Sequence, residues 1–185
     1  KEAKGGKAPA GKPAERPVED ITRLDFRIGR IQKVWPHPEA DKLYCEEIDM
    51  GEGEPRTIAS GLRAHLKEED MVNKLVVVLA NLKPKNMRGF TSQGMVMCAT
   101  DTKTGAVELL NPPEGSKIGE RVSIEGYEML DPDEKLNEKT GKAPLEAVKD
   151  GMRTSAGLEA TYKGALWKTS AGVVTCKVAA EGTIS

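Results

Sequence analysis

The sequence has few cysteines, few aromatic residues and no long apolar run, and each shortage excludes a class of protein. Its three cysteines are widely separated and lack C-x-x-C spacing, which excludes a disulfide framework and a zinc site of that type. No apolar run approaches the roughly 20 residues of a membrane-spanning helix. The first residues also lack a hydrophobic signal core. We therefore expect a soluble, cytoplasmic protein with no membrane association.

Motifs for catalysis and for cofactor binding are also missing. The sequence contains no G-x-S-x-G, no G-x-x-x-x-G-K-[ST] and no H-E-x-x-H. Of the two histidines, His37 lies between two prolines, which favours a structural role in a turn, and His65 has no catalytic neighbours. The acidic cluster of Asp41, Glu46, Glu47 and Asp49 is typical of a solvated strand face. We expect a protein that is not an enzyme and binds no metal or cofactor.

Negative charge is absent from one segment. No Asp or Glu lies between Asp70 and Asp101, although acidic residues number 29 of 185 and the formal net charge is -1. A buried strand at 75–82 explains the first part of this window, because buried segments carry few charges. It does not explain the polar stretch 81–95, which contains three basic residues: Lys83, Lys85 and Arg88. Local composition favours an anion-binding edge over a merely solvated loop.

Short alternating segments predict a mainly β protein. The strand-like segments are FRIGRIQKVWPH, KLYCEEIDMG, RTIASGL, KLVVVLANL, GMVMCAT and RVSI. An offset near Gly29 predicts a bulge or bend in the first strand. The segment RAHLKEEDM predicts a helical turn before the fourth strand. This order predicts a five-stranded Greek-key barrel of the oligonucleotide/oligosaccharide-binding (OB) type, with a β-sandwich as the alternative.

Composition divides the chain into three parts. Residues 1–20 predict a flexible basic linker, which serves either as a solubilising tether or as an arm with nonspecific affinity for phosphate. Residues 21–125 hold the predicted barrel. In residues 126–185, APLEAVKDG predicts a short helix, and LEATYKGALWKT with GVVTCKVAA predicts a pair of strands. This last part is too small for a core of its own, so we expect a small α+β annex packed on the barrel.

The segment 81–95 falls where an OB barrel binds nucleic acid, between its fourth and fifth strands. Its candidate RNA-binding residues are Asn81, Lys83, Lys85, Arg88, Ser92, Gln93 and Met95. The basic side chains can neutralise phosphates, and the amide and hydroxyl groups can bond sugars or base edges. Packing inside the barrel fits Met95 equally well. Phe90 is the one aromatic residue of the segment, which favours recognition of a folded RNA over a single strand on an aromatic platform.

At these residues the sequence resembles a known family. The segments HPEADKLY (37–44), ASGL (59–62), NLKP (81–84), MRGFTSQGMVMCA (87–99), PPEGSKIGERV (112–122), EKLN (134–137) and ATYKG (160–164) carry the resemblance. They are similar to the tRNA-binding domain of synthetase cofactors, typified by the C-terminal region of endothelial monocyte-activating polypeptide II. The same domain is found appended to methionyl- and tyrosyl-tRNA synthetases. The resemblance covers about residues 23–185.

The resemblance implies a barrel that binds tRNA by its structure, largely independently of sequence, and delivers or retains it for an aminoacyl-tRNA synthetase. That synthetase, associated or fused, is expected to be the methionyl enzyme. The positions that line or support the RNA face in the family match Asn81, Lys83, Arg88, Ser92 and Met95, and Lys42 of HPEADKLY is added to them. The annex is expected to imitate the second subunit of shorter dimeric relatives, which makes this chain a monomer.

A second function class remains open, that of a protein-docking or cytokine-like signalling module. Some relatives are released as cytokine-like fragments, and RIGRIQK (27–33) occupies the corresponding segment. Exposure of this segment favours signalling, whereas burial in the barrel weakens it.

Overall fold

The computed structural model describes residues 16–185, which are built mostly from short strands. The strands are β1 Phe26–Pro36, β2 Tyr44–Asp49, β3 Arg56–Ser60, β4 Leu75–Leu79, β5 Lys85–Met87, β6 Phe90–Ser92, β7 Met95–Val96, β8 Cys98–Thr100, β9 Val107–Leu109, β10 Ser123–Ile124, β11 Met152–Thr154, β12 Ala160–Tyr162, β13 Ala165–Thr169, β14 Gly172–Val173 and β15 Thr183–Ile184. The helices are α1 Pro144–Val148 and 3₁₀ turns at Ile21–Arg23, Glu68–Asp70 and Lys149–Gly151. Within the described residues, no helix is long and apolar enough to cross a membrane.

Five strands form the predicted barrel. They follow the order β3-β2-β1-β4-β7 in one antiparallel sheet that nearly closes on itself, which confirms the OB-type barrel over the sandwich. The first strand contains the predicted bulge, but between Ile31 and Lys33 and not at Gly29. Gly29 is needed for packing instead, because a Cβ there would lie 2.7 Å from the side chains of Ile48 and Met50.

The central strand β4 is buried on both faces. Val76 and Val78 belong to the core inside the barrel. Val77 and Leu79 belong to a second core, which the barrel shares with residues of the annex such as Trp167. This double burial explains the unbroken apolar run LVVVL, since neither face of the strand meets water.

The annex joins the chain's second sheet. This eight-stranded sheet has the order β10-β13-β12-β11-β15-β8-β9, with β14 paired to β13. Strand β15 lies between β11 and β8. It thereby connects the strands of the annex with the β8–β9 pair, which directly follows the barrel strand β7 in the sequence. The predicted helix of the annex is α1, which begins at Pro144 as the missing proline N–H allows. The second sheet is therefore continuous from the annex to β8 and β9, and it packs against the barrel through the shared apolar core.

Part of the predicted linker packs on the folded body. Residues 1–15 lie outside the described residues. Arg16 is half-buried, and its guanidinium donates to the Asp20 carboxylate at 2.9 Å and to the carbonyl of Asp131. Asp20 caps the first 3₁₀ turn, and its carboxylate accepts from the Thr22 N–H at 2.9 Å. The folded body therefore extends to residue 16.

Asn81 joins the barrel to the annex. Its side chain is 4% exposed and uses both ends of the amide. The Nδ2 group donates to the carbonyls of Arg23 and Asp133, each at 2.9 Å, and Oδ1 accepts from the backbone N–H of Asp25 at 3.1 Å. The buried Arg23 guanidinium also forms an ion pair with the Asp133 carboxylate at 2.8 Å. A single side chain thus holds three backbone groups from two separate parts of the chain.

We expect Asn81→Ala to lower the free energy of unfolding by at least about 2 kcal/mol, because it leaves buried backbone groups unpaired. Chemical denaturation followed by circular dichroism measures this change. Lys83→Ala is the control, since Lys83 is exposed two residues away and its loss is expected to change stability by less than about 0.5 kcal/mol. Equal stability of Asn81→Ala and the parent chain would contradict this structural role.

Candidate nucleic-acid interface

The stretch 81–95 contains a tight hairpin at its centre. Strands β5 and β6 pair antiparallel from Lys85 opposite Ser92 to Met87 opposite Phe90. The two turn residues, Arg88 and Gly89, have φ of 52° and 84°, as a two-residue hairpin turn requires. The Asn86 side chain accepts from the Gly89 N–H at 2.8 Å and fixes this turn. The hairpin therefore presents the Arg88 side chain at its tip.

His37 fastens this hairpin to the turn after β1. The ring is 3% exposed, and its Nε2 lies 2.9 Å from the Met87 carbonyl oxygen. Its Nδ1 accepts from the Glu39 N–H at 3.0 Å. A carbonyl can only accept, so Nε2 is the donor in this contact and Nδ1 is the acceptor in the other. The contacts place His37 in a structural role, in agreement with the sequence prediction.

Ser92 and Gln93 use their side chains to close the barrel. The Ser92 hydroxyl accepts from the Ala59 N–H of β3 at 3.0 Å, and the Gln93 carboxamide oxygen accepts from the Thr57 N–H at 2.9 Å. The backbone N–H of Gln93 donates in return to the Thr57 carbonyl at 2.8 Å. Ser92 and Asn81 are both buried, and their side-chain polar groups form hydrogen bonds within the protein.

An open cleft of about 530 Å³ lies between the hairpin, β3 and the annex. It brings together four of the predicted residues: Lys83, Lys85, Ser92 and Met95. Leu62 and His65 border it on the side of β3, and Glu138 and Leu145 border it on the annex side. Lys83 and Lys85 are exposed, whereas Met95 is half-buried against the core. Arg88, Gln93, Asn81 and Lys42 lie outside its lining, and Lys42 stands exposed on the turn that His37 fastens.

Glu46 lies beneath the floor of this cleft. The sequence placed it on a solvated face, and this prediction is wrong, since the residue is fully buried. One carboxyl oxygen bonds to the hydroxyl of Ser60, which lines the cleft, and the other has no hydrogen-bond partner within the described residues. Burial raises the pKa of Glu46 to about 8. The Cys98 thiol lies at the same floor. Burial, followed by the charge of Glu46, raises its pKa to about 12.

The floor of the cleft is therefore uncharged at neutral pH. A carboxylate beneath the lysines would repel an anion, and the protonated acid does not. The sequence did not predict the burial of Glu46, because its acidic neighbours Asp41, Glu47 and Asp49 are typical of an exposed strand face. In the structure Glu46 pairs with Ile58 of β3, and its side chain bonds to the Ser60 hydroxyl; the sequence does not give these contacts.

The sequence was compared with protein families and with other proteins. A family model described as "Putative tRNA binding domain" matches residues 26–121. The cytoplasmic tyrosine–tRNA ligase of Danio rerio is 46% identical over 165 residues, which cover 89% of this chain and 31% of the ligase. The cytoplasmic methionine–tRNA ligase of Arabidopsis thaliana is 44% identical over 98% of this chain and 22% of the ligase. The chain thus spans about a third or less of these two relatives.

The chain is also similar to two proteins whose names are not those of tRNA ligases. Aminoacyl tRNA synthase complex-interacting multifunctional protein 1 of Cricetulus griseus is 48% identical over 149 residues, which cover 80% of this chain and 40% of that protein. The crystal structure of the C-terminal domain of Plasmodium vivax p43 superposes with a TM-score of 0.85 and 41% identity. It covers 90% of this chain and 99% of that domain. This similarity extends through the annex as well as the barrel.

We expect Glu46→Gln to remove part of the pH dependence of stability. Between the usual glutamate pKa near 4.5 and about 8, the folded chain holds a proton that the unfolded chain has lost. The free energy of unfolding therefore falls as pH rises through this window, by up to about 1.4 kcal/mol per pH unit. The free energy of unfolding is measured with denaturant at pH 5, 6.5 and 8.5. As pH rises, the value for Glu46→Gln is expected to increase relative to that of the parent chain.

The control for this experiment is Glu47→Gln, the same change in the next residue, whose carboxylate reaches the Lys33 ammonium at 3.5 Å on the outside of the barrel. Parallel pH profiles for the parent chain and Glu46→Gln would contradict a buried, protonated Glu46.

Proposed function

Because this chain belongs to the putative tRNA-binding domain family, we propose that it binds tRNA by its folded shape, largely independently of sequence, and delivers or retains it for an aminoacyl-tRNA synthetase. The observation that carries this proposal is the cleft beside the β5–β6 hairpin, which has lysines at its rim and an uncharged floor. The hairpin itself lies in the one stretch of the chain from which acidic residues are absent over thirty positions, 71–100.

The chemistry of the cleft suits the RNA backbone. Lys83 and Lys85 can each neutralise a phosphate while their stems lie along apolar lining such as Met87. The buried Ser92 and Asn81 hold the lysine-bearing segment in place and thus contribute indirectly. Among the described residues, no Arg, Asn or Gln side chain, the types that most often read base edges in pairs of hydrogen bonds, lines this cleft, which supports recognition by shape and phosphate position over recognition by sequence.

The expected partner is an aminoacyl-tRNA synthetase, either fused to this domain or bound in trans. The names of two relatives are those of tRNA ligases, of which this chain matches a part, and a third is named for interaction with a synthase complex. We propose the methionyl enzyme as this partner, and a monomer in the cytoplasm. In this arrangement the module supplies binding, and the ligase supplies catalysis.

The signalling alternative loses support. The segment 27–33 forms part of β1, which pairs with β2 on one side and with β4 on the other. Ile28 and Ile31 are fully buried in the two cores. The side chains of Arg30, Gln32 and Lys33 face solvent in the folded barrel, so the burial of this segment weakens the alternative but does not remove it.

We expect tRNA binding to follow a log–log salt slope of roughly -3 to -4, as about three to five phosphate contacts predict. Lys83→Ala, Lys85→Ala and Arg88→Ala are each expected to weaken binding and reduce the slope by about 1. Anisotropy of labelled total tRNA across a salt series measures both quantities. Lys74→Ala is the control, since Lys74 lies in the same acid-free window but outside the cleft. Unchanged affinity in all three variants would refute this surface as the tRNA site.

Glu138→Gln is expected to tighten tRNA binding at low salt by about two- to fivefold, because it removes a negative charge from the annex side of the cleft. The gain is expected to disappear at high salt, where surface charges are screened. Glu134→Gln makes the same change at an exposed annex residue outside the cleft and serves as the control. An equal gain from both variants would indicate a general effect of net charge and not a site that includes the annex.

A further inference from the structure

Two aromatic residues far apart in the sequence meet beside the hairpin. Trp35 lies near the end of β1, and Phe90 begins β6. Their ring centroids are 5.9 Å apart in an edge-to-face arrangement, and the His37 ring approaches Phe90 at 6.2 Å. The sequence showed Phe90 as the only aromatic residue of its segment, so this pair was not predicted.

These rings border a second open pocket, of about 330 Å³. This volume is at the lower end of the range for small-ligand sites, roughly 300–1,000 Å³. Trp35 and Phe90 are both half-buried, so part of each ring faces solvent. Among the described residues, no group accepts a hydrogen bond from the Trp35 indole N–H. His37 is already committed to the Met87 carbonyl and the Glu39 N–H, which makes the base of the pocket rigid.

The pocket has one basic and one acidic neighbour. Arg88 borders it from the hairpin tip, where its guanidinium also reaches the Glu39 carbonyl at 3.2 Å. Glu39 borders it from the opposite turn. A phosphate fits beside Arg88 but not beside the Glu39 carboxylate. An uncharged, flat and partly polar group fits both, since a carboxylate can accept from an exocyclic amino group.

The pocket lies next to the lysine cleft, because the same hairpin contributes to both. Met87 lines the cleft and Phe90 lines the aromatic pocket, and these two residues are direct partners in the hairpin. The sites are thus separated by the width of one strand pair, about 5 Å. An RNA backbone held by Lys85 passes close enough to place a neighbouring base in the aromatic pocket.

We propose that the pocket formed by Trp35, Phe90 and Arg88 takes one unstacked nucleobase of the bound tRNA. The base lies against the indole face, and Arg88 contacts its phosphate. The inference rests on the tRNA binding proposed above and adds to it a single stacking contact, which distinguishes this surface from a purely electrostatic one. The scarcity of other aromatic residues limits the contact to one base.

The test measures binding of unfractionated tRNA to the full chain carrying Trp35→Leu or Trp35→Phe. Leucine keeps an apolar side chain but removes the stacking face, and phenylalanine keeps a ring. Trp35→Leu is expected to weaken binding by at least about fivefold, whereas Trp35→Phe stays close to the parent chain. The salt slope is expected to be unchanged in both, because stacking releases no counterions. Tyr127→Leu makes the same kind of change at an aromatic side chain of the annex that is 40% exposed, and it is expected to have no effect.

Intrinsic fluorescence gives a second, independent readout. The only other tryptophan, Trp167, is fully buried against Phe26, with ring centroids 4.6 Å apart. Addition of tRNA is expected to quench the emission of the parent chain and to leave that of Trp35→Phe, which retains Trp167 alone, nearly unchanged. This comparison holds even if Trp35→Leu fails to fold.

The outcomes separate the two proposals. If the parent chain binds tRNA but Trp35→Leu binds equally well, or if tRNA quenches the parent chain no more than Trp35→Phe, the stacking contact is refuted and the tRNA function stands. If the parent chain does not bind tRNA even at low salt, both proposals are refuted. Weaker binding of Trp35→Leu together with quenching assigned to Trp35 supports the stacking contact.

Discussion

The barrel depends on how the outer edge of β3 is satisfied. A five-stranded sheet leaves backbone N–H groups unpaired at its edges, and these groups must find partners before the sheet can close. Here the partners are side chains: Ser92 and Gln93 accept from β3, and the Arg56 guanidinium donates to the carbonyls of Ala80 and Gln93. The segment that closes the barrel is also the segment that carries the lysines. Its shape is therefore set by the fold, and the lysines are held on a rigid support.

Much of the barrel could be predicted from the sequence because its strands alternate and its turns contain glycine and proline. The double burial of β4 was visible as an unbroken apolar run, and Pro144 marked the start of the annex helix. Predictions failed where a residue's role depends on a distant partner. Glu46 resembles a surface acid in the sequence, but β3 covers it, and the bulge in β1 lies between Ile31 and Lys33, beyond the glycine that suggested it.

In the candidate site, too, local sequence predicted some features, whereas features that depend on distant contacts were not predicted. The basic residues of 81–95 were found from local composition, and Lys83 and Lys85 do line one cleft. The sequence could not separate residues that face solvent from those that support the loop, since serine, asparagine and glutamine suit both roles. Nor could it bring Trp35 to Phe90, because that contact requires the hairpin to fold back over the end of β1. Spacing along the chain carries no information about such contacts.

The position of β15 has a consequence for how the chain folds during synthesis. Residues 98–100 in β8 leave the ribosome long before residues 183–184, yet β15 is one of their two strand partners. Until residues 183–184 emerge, β8 has an open edge that can pair with another strand, including one from a second nascent chain. Non-local pairing of this kind also slows folding, because a long loop must close before the contact forms. The edge of β8 is thus closed only by a strand made more than eighty residues later, and until then it is open to pairing with the wrong strand.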